Sequence, residues 1–261
     1  MSRSIRDVTR PSPGGIPVVA SGARSTVPAA VAAIVVMEAA VAFVNPVVGA
    51  IGHALVLLAL LLRWVLTGEV TFLVLALVPL GRLTSLALTP DEYGAGGYVL
   101  TGLPLLVAVV WMLRDLGWPG VPESGRPAWH SIAVALSGIP LGLVVAALFH
   151  VPYLPGRKSL PVILVTAVVV FVYVGVLEEL LYRGLVQRAL TGQFGMWAFV
   201  VADVLFTAAY LPTRDAGFIA TMAVVGLGFG YYVRRTGHLA AVATAHGLLA
   251  AGAVAVWPVL L

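Results

Sequence analysis

Nine apolar runs occupy most of the chain: Val27–Val44, Val47–Leu66, Thr71–Leu88, Tyr98–Leu113, Ile132–Phe149, Leu160–Leu181, Met196–Leu211, Phe218–Val233 and Leu239–Leu260. Each is close to the roughly 20 apolar residues that an α-helix needs to cross a bilayer. Asn45-Pro46, Thr89-Pro90, the Gly94–Gly97 stretch, Gly117–Arg126 and Pro152–Gly156 separate them with loop signals. Only 10% of the residues are charged and 61% are apolar, whereas a soluble domain is about 25% charged. So few charges cannot cover a surface that faces water, so the outside of the fold is expected to face lipid. The expected fold is all-α, a polytopic transmembrane bundle of about eight or nine spanning helices. Residues 1–26, with Arg3, Arg6, Arg10 and Arg24 among Pro, Ser and Gly, read as a disordered basic cytoplasmic tail. They lack the apolar core of a secretory signal. Residues 27–150 then form N-terminal transmembrane helices, and 151–261 a C-terminal core.

The absence of cysteine excludes disulfides, thiolate metal sites and a cysteine nucleophile. Orientation follows from Lys and Arg, which stay on the cytoplasmic side of a membrane. With the N-terminus inside, eleven of the 15 Lys and Arg residues fall inside; Arg82, Arg157, Lys158 and Arg214 fall outside. The expected location is the plasma membrane of a prokaryote, with the N-terminus cytoplasmic.

Ionisable residues at membrane depth carry the functional information, because each costs at least about 2–3 kcal/mol at the bilayer centre unless it finds a partner or a wet cavity. They are Glu38, His53, Arg82, Glu178, Glu179, Asp203 and His246. Glu178 and Glu179 are adjacent near the end of the sixth apolar run, with side chains about 100° apart on a helix. Arg183 follows Glu179 by one turn, so these two meet on one face in the favoured acid-then-base order. Glu178 lies off that face and is left to take a proton from water, the task of a general base. By the arginine count, both glutamates are expected near the cytoplasmic half of the membrane. Glu38 and His53 are expected to link the first two helices, and Arg82 to hold a loop or a lipid headgroup. Gly226, Gly228 and Gly230 read as sites of close helix packing.

The string Glu178-Glu179-Leu180-Leu181-Tyr182-Arg183-Gly184 resembles the first motif of the CPBP family of glutamic intramembrane proteases, which includes CAAX prenyl-protein endopeptidases and bacteriocin-processing proteases. The resemblance runs from about Leu160 to Gly252. It extends to the second motif, Phe-x-x-x-His, where Phe206 is in place and Tyr210 stands for the histidine. It extends also to the third, where His246 is in place and Ala250 stands for a polar residue. The turn Arg234–Gly237 is typical of the family. The resemblance implies an intramembrane endopeptidase in which a glutamate activates water, with Glu178, Glu179 and His246 catalytic and Arg183, Phe206, Tyr210 and Asp203 supporting. Asp203, two turns before Tyr210, is expected to pair with Arg183 or His246 or to add a third carboxylate to the cavity. Histidine and asparagine would steady the oxyanion, and removing one such donor typically costs about a hundred- to a thousandfold in rate. The replacements at Tyr210 and Ala250 therefore keep a second reading open, an inactive relative that binds peptides as a membrane scaffold.

A proton-coupled transporter is the third reading, since buried carboxylates with a histidine also suit a proton relay. A protease needs Glu178 and His246 facing one cavity. No His-Glu-x-x-His helix is present, so no metal is expected, and no cofactor. The expected partners are the lipid bilayer and a peptide or protein substrate, with no nucleic acid.

Overall fold

The computed structural model describes residues 21–88, 94–116, 128–149 and 159–261. Their regular structure is helical throughout. Helix α1 (Ser21–Phe43) starts inside the expected tail, whose residues 1–20 lie outside the described residues. The Thr89-Pro90, Gly117–Arg126 and Pro152–Gly156 loop signals, Arg157 and Lys158 lie outside them too.

Helix α2 (Pro46–Thr67) begins where Asn45 accepts the Val47 N–H at 2.7 Å and Pro46 presets the first turn. Helices α3 (Val70–Ala87) and α4 (Ala95–Asp115) follow. Helix α5 (residues 128–149) is two pieces, Ala128–Leu136 and Gly138–Phe149, that join at Ser137. Helix α6 (residues 160–194) is continuous but holds two π-helical stretches, Phe171–Val176 and Leu180–Val186, on either side of Leu177–Glu179. Such widened turns cluster at functional sites in helices.

The sixth apolar run was expected to end near Leu181. Instead α6 runs on through Phe194, because Gln187–Phe194 continues the helix with an amphipathic sequence. It stops at Gly195, whose φ of 53° favours a residue without a Cβ. Helix α7 (Ala198–Ala208), the turn Leu211–Thr213, α8 (Ala216–Thr236) and α9 (Leu239–Leu260) complete the chain. Gly237, at φ 75°, closes α8 after Arg234 and Arg235.

Among the described residues, eight helical stretches are long and apolar enough to cross a membrane. One of them, Leu160–Thr213, spans 54 residues and folds back at Gly195, so it contains both α6 and α7. Large apolar side chains such as Leu58, Leu62, Val107, Leu148, Val168 and Val224 are exposed on the outside of the bundle. A surface of this kind is at home in hydrocarbon, where helices satisfy their own backbone groups.

Helix α9 forms the centre: 72% of its most apolar 18-residue stretch is buried, against 17% of the corresponding stretch of α2. Its alanine-rich face lets neighbours come close. A Cβ at Gly175 of α6 would meet the backbone of Gly247, and one at Gly138 of α5 would meet the carbonyl of Ala245. Packing of small residues replaces the hydrophobic effect as the force between helices in lipid. Gly226 serves the same end in α8, where a Cβ would strike Asp203, Arg183 and Phe206, and Gly230 packs on Gln187. Gly228 faces open space instead. Substituting Gly175→Ala is expected to destabilise the protein by about 1–3 kcal/mol, the usual cost of overpacking. Gly228→Ala should be neutral or slightly stabilising; thermal unfolding in detergent checks both.

Candidate active site

The four helices α6 to α9 bring the sequence-derived residues together. Arg183 is 1% exposed and its guanidinium lies between two carboxylates. Nη1 is 3.2 Å from Glu179 Oε1, one helical turn back, and Nη2 donates to Asp203 Oδ1 of α7 at 3.1 Å. The flat face of the guanidinium stacks over the Phe206 ring at 4.0 Å. Asp203 therefore pairs with Arg183, one of the partners expected for it. Phe206 also makes edge contacts with the rings of Tyr182, Tyr210 and His246 at 5.5, 5.2 and 5.7 Å.

His246 of α9 reaches the same carboxylate, with Nδ1 3.0 Å from Glu179 Oε1. Glu179 as a carboxylate can only accept, so Nδ1 carries the proton of that bond. That fixes the ring and leaves Nε2 for other partners. Glu179 is fully buried. It is thus spent on orienting Arg183 and His246.

Glu178 is half-buried and points elsewhere. The Tyr210 hydroxyl donates to its Oε2 at 2.7 Å. Both residues border a cavity of about 190 Å³ that also touches Glu38, Arg82, Ser85, Tyr98 and Tyr173. A second cavity, of about 370 Å³ and mostly apolar, is bordered by His246, Tyr210, Ala250, Phe149, Phe218 and Met222. Glu178 does not line the second cavity, and His246 does not line the first. The two cavities share Tyr98, Val174 and Tyr210 as their common wall. The single cavity expected for Glu178 and His246 is thus divided, with Tyr210 on the boundary. Ala250 contributes no polar group to it.

Glu178 also sits near the middle of α6, away from Arg188, Arg234 and Arg235. The first cavity draws on Ser85 and Tyr98, and the second on Tyr98, Phe149, Thr213 and Asp215, all at one end of the bundle. Val70, Leu116 and Arg188 share a separate cavity at the opposite end. The helix runs on past Glu178 for four more turns, and that extension carries the site away from the arginine-bearing end.

Sequence reasoning flagged Glu38, His53 and Arg82 but did not connect them to this site. Glu38 hydrogen-bonds Arg82, and His53 Nε2 stands at ion-pair distance, 3.7 Å from Glu38 Oε1, the link expected between the first two helices, though beyond hydrogen-bond reach. Tyr98 and Tyr173 were not singled out; tyrosine in an apolar run carries no signal that separates cavity lining from packing. Among the described residues, no group of three or more His, Cys, Asp and Glu residues is placed to hold a metal ion.

Residues 157–252, which carry this arrangement from α6 to α9, match the family model described as type II CAAX prenyl endopeptidase Rce1-like. Over that region, about a third of the chain, the sequence is similar to the Rce1-like family. No curated protein and no solved structure matches the chain. Helices α1 to α5 lie outside the Rce1-like region, although α1, α3 and α4 supply part of the first cavity's wall.

Arg183→Gln would leave Glu179 and Asp203 facing each other without their cation. Removing one partner of a buried ion pair typically costs about 3–5 kcal/mol. The variant is expected to lose stability by about that amount, measured by unfolding in detergent. Asp203→Asn, which keeps an acceptor for Arg183, should lose less.

Proposed function

We propose that the protein is an intramembrane endopeptidase that cleaves a membrane-associated peptide or protein with water activated by Glu178. The observation that carries this reading is the division of labour between the two glutamates. Glu179 is buried and holds Arg183 and His246, while Glu178 is open to a cavity and, among the described residues, takes a hydrogen bond from the Tyr210 hydroxyl. In this scheme a water in the first cavity lies against Glu178, which takes its proton as the oxygen attacks the peptide carbonyl. The hydrogen bond from Tyr210 orients the carboxylate. His246, set by Glu179, faces the second cavity across the shared Tyr210 wall, and in this scheme it donates to the carbonyl oxygen once a bound peptide displaces that wall. The match of residues 157–252 to the model of a protease family supports the reading. Glu178→Gln removes the base but keeps the hydrogen-bonding shape. It is expected to abolish cleavage of a peptide library by the purified protein; undiminished cleavage by folded Glu178→Gln protein would sink the proposal.

One observation favours the inactive relative as a second reading. The Tyr210 hydroxyl is engaged with Glu178, and Ala250 offers no donor, so fewer groups remain for an oxyanion. Wild-type protein that binds peptides but cleaves none would establish that reading.

We further propose that the N-terminus is cytoplasmic. Arg63, Arg114, Arg188, Arg234 and Arg235 gather at one end of the bundle, and arginine-rich ends stay inside. The cavities then open toward the other side, and the substrate is a membrane-tethered peptide displayed there. The lack of native cysteine makes the test direct. Ser85→Cys should react with an impermeant maleimide added to intact cells, and Arg234→Cys only after the membrane is opened. The reverse pattern would overturn the orientation.

A further inference from the structure

The buried Glu38–Arg82 pair lies outside the Rce1-like region, yet it reaches into the site. Arg82 of α3 donates from Nε to Glu38 Oε1 of α1 at 3.0 Å, and its Nη2 is 2.8 Å from Oε2. Glu38 is 1% exposed, so the pair is a fork-to-fork bridge held inside the bundle. The same Nη2 donates to the carbonyl of Ala209 at 2.5 Å. Ala209 closes α7, where the last carbonyls have no partner in their own helix. The guanidinium thus caps α7 from a helix far away in sequence.

A second arginine holds the other side of the same turn. Arg214 adopts φ 55° after Leu211–Thr213 and donates from Nε to the Ala42 carbonyl of α1 at 2.6 Å. Between these two attachments lies Tyr210, whose hydroxyl meets Glu178. Its ring is flanked by Phe206 and Phe218 at 5.2 and 5.6 Å. The rings set the direction of the side chain; the two arginines set the height of its backbone against α6. A phenol is longer than an imidazole, so its hydroxyl meets the carboxylate only if the backbone that bears it is held at the right distance.

We propose that Glu38, Arg82 and Arg214 are positioning residues: they fix the turn from Ala209 to Arg214 against α1 and α3 so that the Tyr210 hydroxyl reaches Glu178. The N-terminal helices thereby take part in the site from outside the family region. The geometric proposal stands on the structure alone; its consequence for rate rests on the protease reading.

The test places a fluorotyrosine at position 210 of the full-length protein in nanodiscs and reads its fluorine resonance. Arg82→Gln and Arg214→Gln should each shift or broaden that resonance. Arg63→Gln, at the opposite end of the bundle, should leave it in place. If Arg82→Gln does not fold, Arg82→Lys keeps the charge beside Glu38 without the fork that also reaches Ala209, and it should move the resonance as well. A resonance unchanged in folded Arg214→Gln and in the Arg82 variant would overturn the proposal. In cleavage assays Arg82→Gln should lower kcat about tenfold when Tyr210 is present and change nothing further in Tyr210→Phe, since residues acting through one contact are not additive. Additive losses would show a merely structural tether and overturn the positioning role. If wild-type cleavage does not exceed that of Glu178→Gln, the protease reading falls while the fluorine result still decides the clamp.

Discussion

The guanidinium of Arg183 is the point on which the C-terminal half is organised. A cation at membrane depth is tolerated only where protein surrounds it with counter-charge. Here Glu179 and Asp203 flank it and Phe206 covers its face. Those three partners come from α6 and α7. Helix α8 must then approach with Gly226, because any Cβ there would strike the ion pair. Helix α9 brings His246 onto Glu179 from the remaining side. One buried charge thus dictates which faces of four helices meet, in an environment where apolar packing alone gives little directional preference.

That arrangement separates two adjacent carboxylates into different roles. Glu179 is consumed by structure, being buried and shared between an arginine and a histidine. Glu178 is turned toward space. The π-helical stretches on both sides of the pair are compatible with this, since widened turns let a helix rotate its side chains without breaking its backbone hydrogen bonds. Tyr210 then stands at the wall between the cavity bordered by Glu38, Arg82 and Glu178 and a more apolar one.

The helices that precede the Rce1-like region are more than a lipid-facing jacket. α1, α3 and α4 line the first cavity with Glu38, Arg82, Ser85 and Tyr98. The Glu38–Arg82 bridge would be costly to isolate in hydrocarbon, and its carbonyl contact at Ala209 ties it to the end of α7. Polar groups inside a bundle are most economically placed where they serve several helices at once, and this one joins α1, α3 and α7.

The membrane class and the helical fold were legible in the sequence because they depend on composition and on run length, which need no knowledge of neighbours. The Glu179–Arg183 pair was legible for the same reason: residues one helical turn apart share a face whatever the tertiary structure. The motif around Glu178 likewise pointed to the region that matches the family. Other features required the fold. Asp203 had several possible partners, and only the approach of α7 chose Arg183. The extension of α6 beyond Leu181 hid in an amphipathic stretch that reads as a loop when only apolar runs are counted, and it moved Glu178 to the middle of its helix. The division of the cavity and the reach of Arg82 to Ala209 join residues more than a hundred positions apart. In a chain whose lipid-facing and core-facing surfaces are both apolar, hydropathy does not tell one helix face from another. Tertiary packing, through glycine contacts and buried charges, decided which residues meet.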